Sequence, residues 1–204
     1  MIASADTETK LKDNSVLTIN LSGTISEMAA PDMLGFLSGN TIENNGLNDM
    51  LLAIRKAKNN DDIKGIYLEA GPLAAGFSTL QELRDALADF KKSGKWIVAY
   101  GDTYTQGCYY VASVANHIFL NPQGQVDWHG LSSQPYYIKD LAAKFGVKYQ
   151  VAKVGTFKSA TEMFTETKMS DANRLQVSTY LNGLWANVCK AVSESRKISI
   201  PALN

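Results

Sequence analysis

Lys158, in the run Val154-Gly155-Thr156-Phe157-Lys158-Ser159-Ala160, is the side chain best placed by its neighbours to do chemistry. A lysine set between an aromatic ring and small residues can be desolvated, and desolvation favours the neutral amine that a base requires. A lysine ammonium in water titrates at about 10.4, so a base working at neutral pH must sit roughly two to three units lower. That shift corresponds to about 3–4 kcal/mol. Gly155 permits close backbone approach, and Phe157, Met163 and Phe164 are candidates for low-dielectric walls. The competing reading of any single lysine is a solvated surface charge.

The other reactive residue types offer less. His117 opens an apparent strand and His129 follows a tryptophan in a loop; for both, packing or hydrogen bonding outweighs catalysis, so a histidine-based triad is not expected. Cys108 and Cys189 are far apart and form no CxxC, which points to two buried free thiols rather than a zinc site or a disulfide framework. Glu69, Asp102, Asp127 and Glu162 could form an acid/base pair, but nothing in the sequence brings two of them together. They read as solvated loop charges or helix-end partners. GxGxxG, GxxxxGK[ST] and GxSxG are all absent, so dinucleotide, P-loop and nucleophile-elbow readings lose support and no cofactor or metal is expected.

Twenty basic residues balance twenty acidic ones across 204 positions, which gives no electrostatic case for nucleic acid or an anionic membrane surface. With 45% hydrophobic residues the chain can build one well-packed domain. No apolar run approaches the ~18 residues needed to span a bilayer, and Met1 to Asn14 lacks the apolar core of a signal peptide. The chain as it stands is expected to be soluble.

Elements that would position Lys158 follow from periodicity. Strands are expected at Val16–Leu21, Gly65–Glu69, Trp96–Tyr100, His117–Leu120 and Val147–Ala152. Helical faces run through Leu47, Met50, Leu51 and Ile54, then through Leu80, Leu83, Leu87 and Phe90 up to Gly94. Further helices are expected at Gln106–Ala115 and through Tyr137, Ile138, Leu141 and Phe145 up to Gly146. Ala70 to Gly76 reads as a small-residue turn, with Ser78 and Gln81 as a capping box. Ser170 can cap a long helix whose Val177, Leu181, Leu184, Trp185, Val188 and Val192 form one stripe. Met28 to Leu37 is apolar for a loop and could line a groove, meet another subunit or cover this domain's own core. The alternation predicts α/β layering on a largely parallel sheet, with sites at the carboxyl ends of strands. Lys158 falls just past such an end.

Several ordered motifs then agree with one family. Gly101–Asn116 (GDTYTQGCYYVASVAN), Asn121–Gly124 (NPQG), Asp127–Gly130 (DWHG) and Val154–Ala160 (VGTFKSA), continuing through Thr161–Phe164 and the final helix, resemble the amino-terminal half of the signal peptide peptidase A, or protease IV, family. The resemblance runs from about Val16 to the end.

It implies a crotonase-like (Clp protease-like) βα-repeat domain with a long carboxy-terminal helix, residues 16–204 being the first of two repeats and residues 1–15 a tail after a removed anchor. It also implies a serine endopeptidase with a Ser-Lys dyad, in which Lys158 matches the lysine and the nucleophilic serine belongs to the absent second repeat. That repeat carries a Ser-Gly-Gly-Tyr core, and the counterpart here is Gln106-Gly107-Cys108-Tyr109. Glutamine cannot attack a carbonyl, so the chain alone is expected to be inactive. Implied partners are the second repeat, hydrophobic signal peptides left after preprotein processing, and further copies in a homo-oligomer. The implied location is the extracytoplasmic side of the bacterial inner membrane. Ser159 could hydrogen-bond the lysine amine or cap local backbone. The rivals are a non-catalytic assembly repeat with a structural lysine and, more distantly, an acyl-thioester enzyme.

Overall fold

Alternation in the strands sets the architecture. In the computed structural model, which describes residues 11–28 and 44–204, five strands form one parallel sheet in the order β2-β1-β3-β4-β5. They are β1 (Ser15–Ser26), β2 (Asn44–Gly46), β3 (Ile63–Ala74), β4 (Trp96–Tyr104) and β5 (His117–Val126). Leu17, Ile19 and Leu21 pair in register with Ile66, Leu68 and Ala70, and the three rows continue through Ile97, Ala99 and Gly101. Ile66, Leu68, Ile97 and Ala99 are fully buried, whereas Trp96, Tyr100 and Phe119 on the opposite face are exposed. Period-two alternation therefore assigns one face to the core.

That face is covered by crossover helices, as parallel strands require. α1 (Leu47–Asn59) follows β2, α2 (Phe77–Lys91) follows β3 and α3 (Gln106–Ala112) follows β4, with α1 packed on α2 and α2 on α3. In α2, Leu80, Leu83, Leu87 and Phe90 are buried at helical spacing. Gly94, at φ +81°, takes the left-handed turn back to β4, as the sequence implied.

Residues to 129 together with 191–199 make one compact unit; residues 130–190 with 200–204 make a second. The second contains α4 (Lys139–Lys144), a 3-10 turn (Ser159–Thr161), α5 (Glu162–Thr165) and α7 (Ile200–Leu203). The long helix α6 (Asp171–Arg196) runs through the boundary in sequence. Its expected stripe is realised: Val177, Leu181, Leu184 and Trp185 are half-buried, and Val188 and Val192 are buried.

Several local expectations are corrected. Ala70 to Ala74 continues β3 instead of turning, because Leu73 and Ala74 pair with Gly23 and Thr24 after a register shift in β1. Ser78 does not cap α2; the helix begins one residue earlier, with Gly76 at the cap position and no side-chain cap bond. The α3 helix stops at Ala112, and α4 starts at Lys139 instead of Tyr137. β5 is longer than expected because Asn121 to Gly124 loop out opposite Asp102 and pairing resumes at Gln125 and Thr103.

Val147–Ala152 is not a strand of this sheet. Val147, Tyr149 and Val151 alternate as a strand would, but they are exposed and the segment joins no ladder among the described residues. Alternation supplies a face, and a strand also needs a neighbour for its backbone groups. Of the Met28 to Leu37 stretch, Met28 is exposed and the remainder lies outside the described residues.

Candidate functional site

Lys158 stands at the entry of the 3-10 turn, as its cap residue, with φ −110° and ψ 67°. Residues 147–157 before it lie in no helix or strand, and Gly155 adopts φ +98°, a conformation that suits glycine. After it, the Glu162 N–H donates to the Ser159 carbonyl, closing the turn. Lys158 lines an open cleft of about 630 Å³ together with Val154, Phe157, Ser159, Thr161 and Gln176.

Among the described residues the expected low-dielectric walls are not closed. Lys158 is exposed, Phe157 is 55% exposed and Val154 is 90% exposed. Met163 also faces solvent, while Phe164 turns its ring to Tyr149, with centroids 4.8 Å apart. The aromatic and aliphatic groups that could dry the amine are therefore present beside it but uncovered.

Glu162 sits four residues beyond Lys158, and its carboxylate is buried. One oxygen accepts the Ser170 hydroxyl at 2.5 Å; the other accepts the Asn173 side-chain amide at 2.9 Å and the Ser170 N–H at 3.3 Å. The Ser170 hydroxyl oxygen in turn accepts the Asn173 N–H at 3.2 Å, which makes Ser170 the amino-terminal cap of α6, as its position implied. The Ser170 hydroxyl is the largest of the influences that hold the Glu162 carboxyl below the ordinary carboxylate range. Asn173, the Ser170 N–H and the Lys153 charge add to it, and burial opposes it. Of the two sequence readings of Glu162, the helix-end partner is correct and the solvated charge is not.

Gln106, in the other unit, is the first residue of α3 and is buried. Its side-chain oxygen accepts the His129 N–H at 3.2 Å, so the amide fastens the loop after β5 to the start of α3. His117 stacks on Phe119. Glu69 and Asp102 are exposed, and the Tyr100 hydroxyl reaches Asp102 at 3.4 Å. No group of three or more His, Cys, Asp or Glu side chains that could hold a metal converges among the described residues.

Both cysteines are free and buried, as expected. Burial pushes the Cys108 thiol up to about 11, against the opposing hydrogen bond from the Gly71 backbone, and raises Cys189 as well. Neither is poised as a nucleophile. The sequence reading missed Arg84, a buried guanidinium that bonds the Tyr110 and Ala191 carbonyls and the Ser195 hydroxyl. Its signal was an arginine inside the apolar stripe of α2, between Leu83 and Leu87.

No helix among the described residues is long and apolar enough to cross a membrane. Protease 4 of Salmonella typhi is 42% identical over 163 residues, covering 79% of this chain and 26% of that protein. Protease 4 of Haemophilus influenzae is 34% identical over 197 residues, covering 93% and 32% respectively. The chloroplastic serine protease SPPA of Arabidopsis thaliana is 29% identical over 186 residues, covering 91% and 26%. The chain thus spans about a quarter to a third of the length of these relatives. Among solved structures, an enoyl-CoA hydratase/isomerase family protein from Silicibacter pomeroyi is similar over 94% of this chain and 92% of its own, at 12% identity and a TM-score of 0.40, too loose a likeness to build on. The model of peptidase family S49 matches residues 89–204, a stretch that takes in the Gln106 turn, the Lys158 cleft and the whole of α6. With more than half of its length, including every residue of the cleft, inside that match, the chain belongs to peptidase family S49.

Proposed function

We propose that this chain is the first of two crotonase-like repeats, residues 16–204, of a Ser-Lys endopeptidase, and that Lys158 is its general base. The observation that carries this reading is the placing of Lys158 at an open cleft whose apolar residues are uncovered, in a chain of a peptidase family that spans a fraction of its relatives. A second repeat docked there would contribute the serine and exclude water from the amine. Desolvation would then favour the neutral form that can accept a proton.

In the proposed reaction the Lys158 amine takes the serine hydroxyl proton as the oxygen attacks the peptide carbonyl. The ammonium returns that proton to the leaving amine as the C–N bond breaks, and water then hydrolyses the acyl-enzyme by the same base. Backbone N–H donors for the oxyanion would flank the serine, in the second repeat. Extended hydrophobic peptides of the signal-peptide class suit a cleft with Val154 and Phe157 on its rim. The proposal extends to a homo-oligomer on the extracytoplasmic side of the bacterial inner membrane.

Gln106 favours a second reading, a non-catalytic assembly repeat, since the amide at the nucleophile position serves a loop contact. The two separate in the longer polypeptide that joins this chain to a second repeat. There Lys158→Ala is expected to abolish cleavage of a hydrophobic peptide and leave the oligomer intact. Retained hydrolysis would reject the base and favour the assembly reading. The 204-residue chain alone is expected to hydrolyse nothing and to resist a serine-reactive fluorophosphonate; labelling would place the nucleophile here.

A further inference from the structure

We infer that Glu162 is a positioning residue for Lys158, its buried carboxylate fixing the lysine turn to the first turn of α6. The inference rests on the reading of Lys158 as the base. Residues 147–158 reach the lysine outside any helix or strand, so upstream secondary structure does not orient it. Downstream, α5 is tied to the start of α4 by the Ile138 N–H on the Met163 carbonyl at 2.8 Å, and the attachment to α6 is concentrated on one residue. The Glu162 backbone N–H holds the Ser159 carbonyl, its carbonyl accepts the Glu166 N–H at 2.8 Å, and its carboxylate takes three donors from Ser170 and Asn173.

Those donors sit at the amino terminus of a 26-residue helix, where unsatisfied N–H groups and the helix dipole favour an anion. Both carboxylate oxygens are thereby occupied by α6. Glu162 acts through the backbone of the turn and not by pairing with the Lys158 amine. Tyr149 against Phe164 adds a second, weaker attachment of the preceding segment to α5. A base nitrogen must lie about 2.6–3.2 Å from the oxygen whose proton it takes. A displacement of about 1 Å can cost ~10²-fold in rate, so loosening this clamp should slow chemistry without weakening peptide binding.

The test is steady-state peptide hydrolysis by the longer polypeptide. Glu162→Gln keeps size but loses the charge and exchanges one acceptor for an NH2 donor, which either opposes the Asn173 NH2 or forces the Ser170 hydroxyl to reverse and accept. Its kcat should fall about 10- to 100-fold with KM little changed. Exchanging donor and acceptor in Glu162→Gln with Asn173→Asp should recover much of that loss, whereas Asn173→Asp alone, which sets two carboxylates together, should not. An unchanged kcat in folded Glu162→Gln, while Lys158→Ala is inactive, would overturn the inference and leave the base assignment standing. Activity in Lys158→Ala would overturn the base assignment itself. If Glu162→Gln does not fold, Ser170→Ala decides: a lower kcat at unchanged KM supports the clamp, and wild-type kinetics refutes it.

Discussion

Arg84→Met should destabilise the first unit by about 3 kcal/mol, since hydrogen bonds from charged donors contribute ~1.5–3 kcal/mol each. The side chain is buried. Its guanidinium donates to the Ala191 carbonyl at 2.9 Å and the Ser195 hydroxyl at 2.5 Å, joining the end of α6 to α2, and to the Tyr110 carbonyl of α3 at 3.3 Å. It also lies 5.3 Å from the Tyr110 ring centroid. Only the two shorter bonds count at full weight, and the 3.3 Å bond adds little. Two effects oppose the loss: methionine needs no desolvated charge, and removing Arg84 relieves repulsion on Lys91, whose pKa is lowered by burial first and then by Arg196 and Arg84. For a chain of this size ~1 kcal/mol corresponds to about 2–4 °C in Tm, so a fall of roughly 6–12 °C is expected. Urea denaturation, with amide exchange read at Ala191 to Ser195, measures it. The exposed Lys92→Met is the control, expected to stay within about 0.5 kcal/mol. An Arg84→Met chain as stable as that control would refute the clamp.

Cys108 should react slowly with a disulfide reagent: a thiol at about 11 instead of 9 holds roughly a hundredfold less thiolate at pH 8, so denaturation should release its labelling. Gly101→Ala should cost about 1–3 kcal/mol in urea titration, because an added Cβ would lie 2.5 Å from the Ala70 carbonyl oxygen in the paired strand. Glu162 has a folded pKa below the ordinary 4.5, so its contribution is present above that value and is lost as pH falls through the folded one. Lys153 is the cation that helps hold it ionised. Exchange protection at Ser170 and Asn173 should therefore drop on acidification below pH 4.5 in the native chain and stay flat in Glu162→Gln.

What could be read in advance follows the range of the forces involved. The sheet's core rows and the buried positions of α2 were legible because burial imposes a period on neighbouring residues, and Ser170 was legible because a cap acts within one turn. The extension of β3 through Pro72 depended on register with β1, which no local pattern encodes. The unpaired state of Val147–Ala152 depended on a missing neighbour for the same reason. At the site, Lys158 was singled out by its neighbours, but the exposure of Phe157 and Val154 depends on what covers them. Glu162 gave a single acidic letter near a helix start. Its burial and its three bonds arise from the way α5 meets the first turn of α6, across an interval of eight to eleven residues.

The most direct test is the position of the Lys158 nitrogen in a structure of the longer polypeptide, trapped with a peptidyl phosphonate on its reactive serine. The expected result places that nitrogen about 2.6–3.2 Å from the serine oxygen. Phe157 and Val154 should then be covered by the second repeat. A lysine left in bulk water, beyond reach of the phosphonylated serine oxygen, would contradict the assignment of Lys158 as the base.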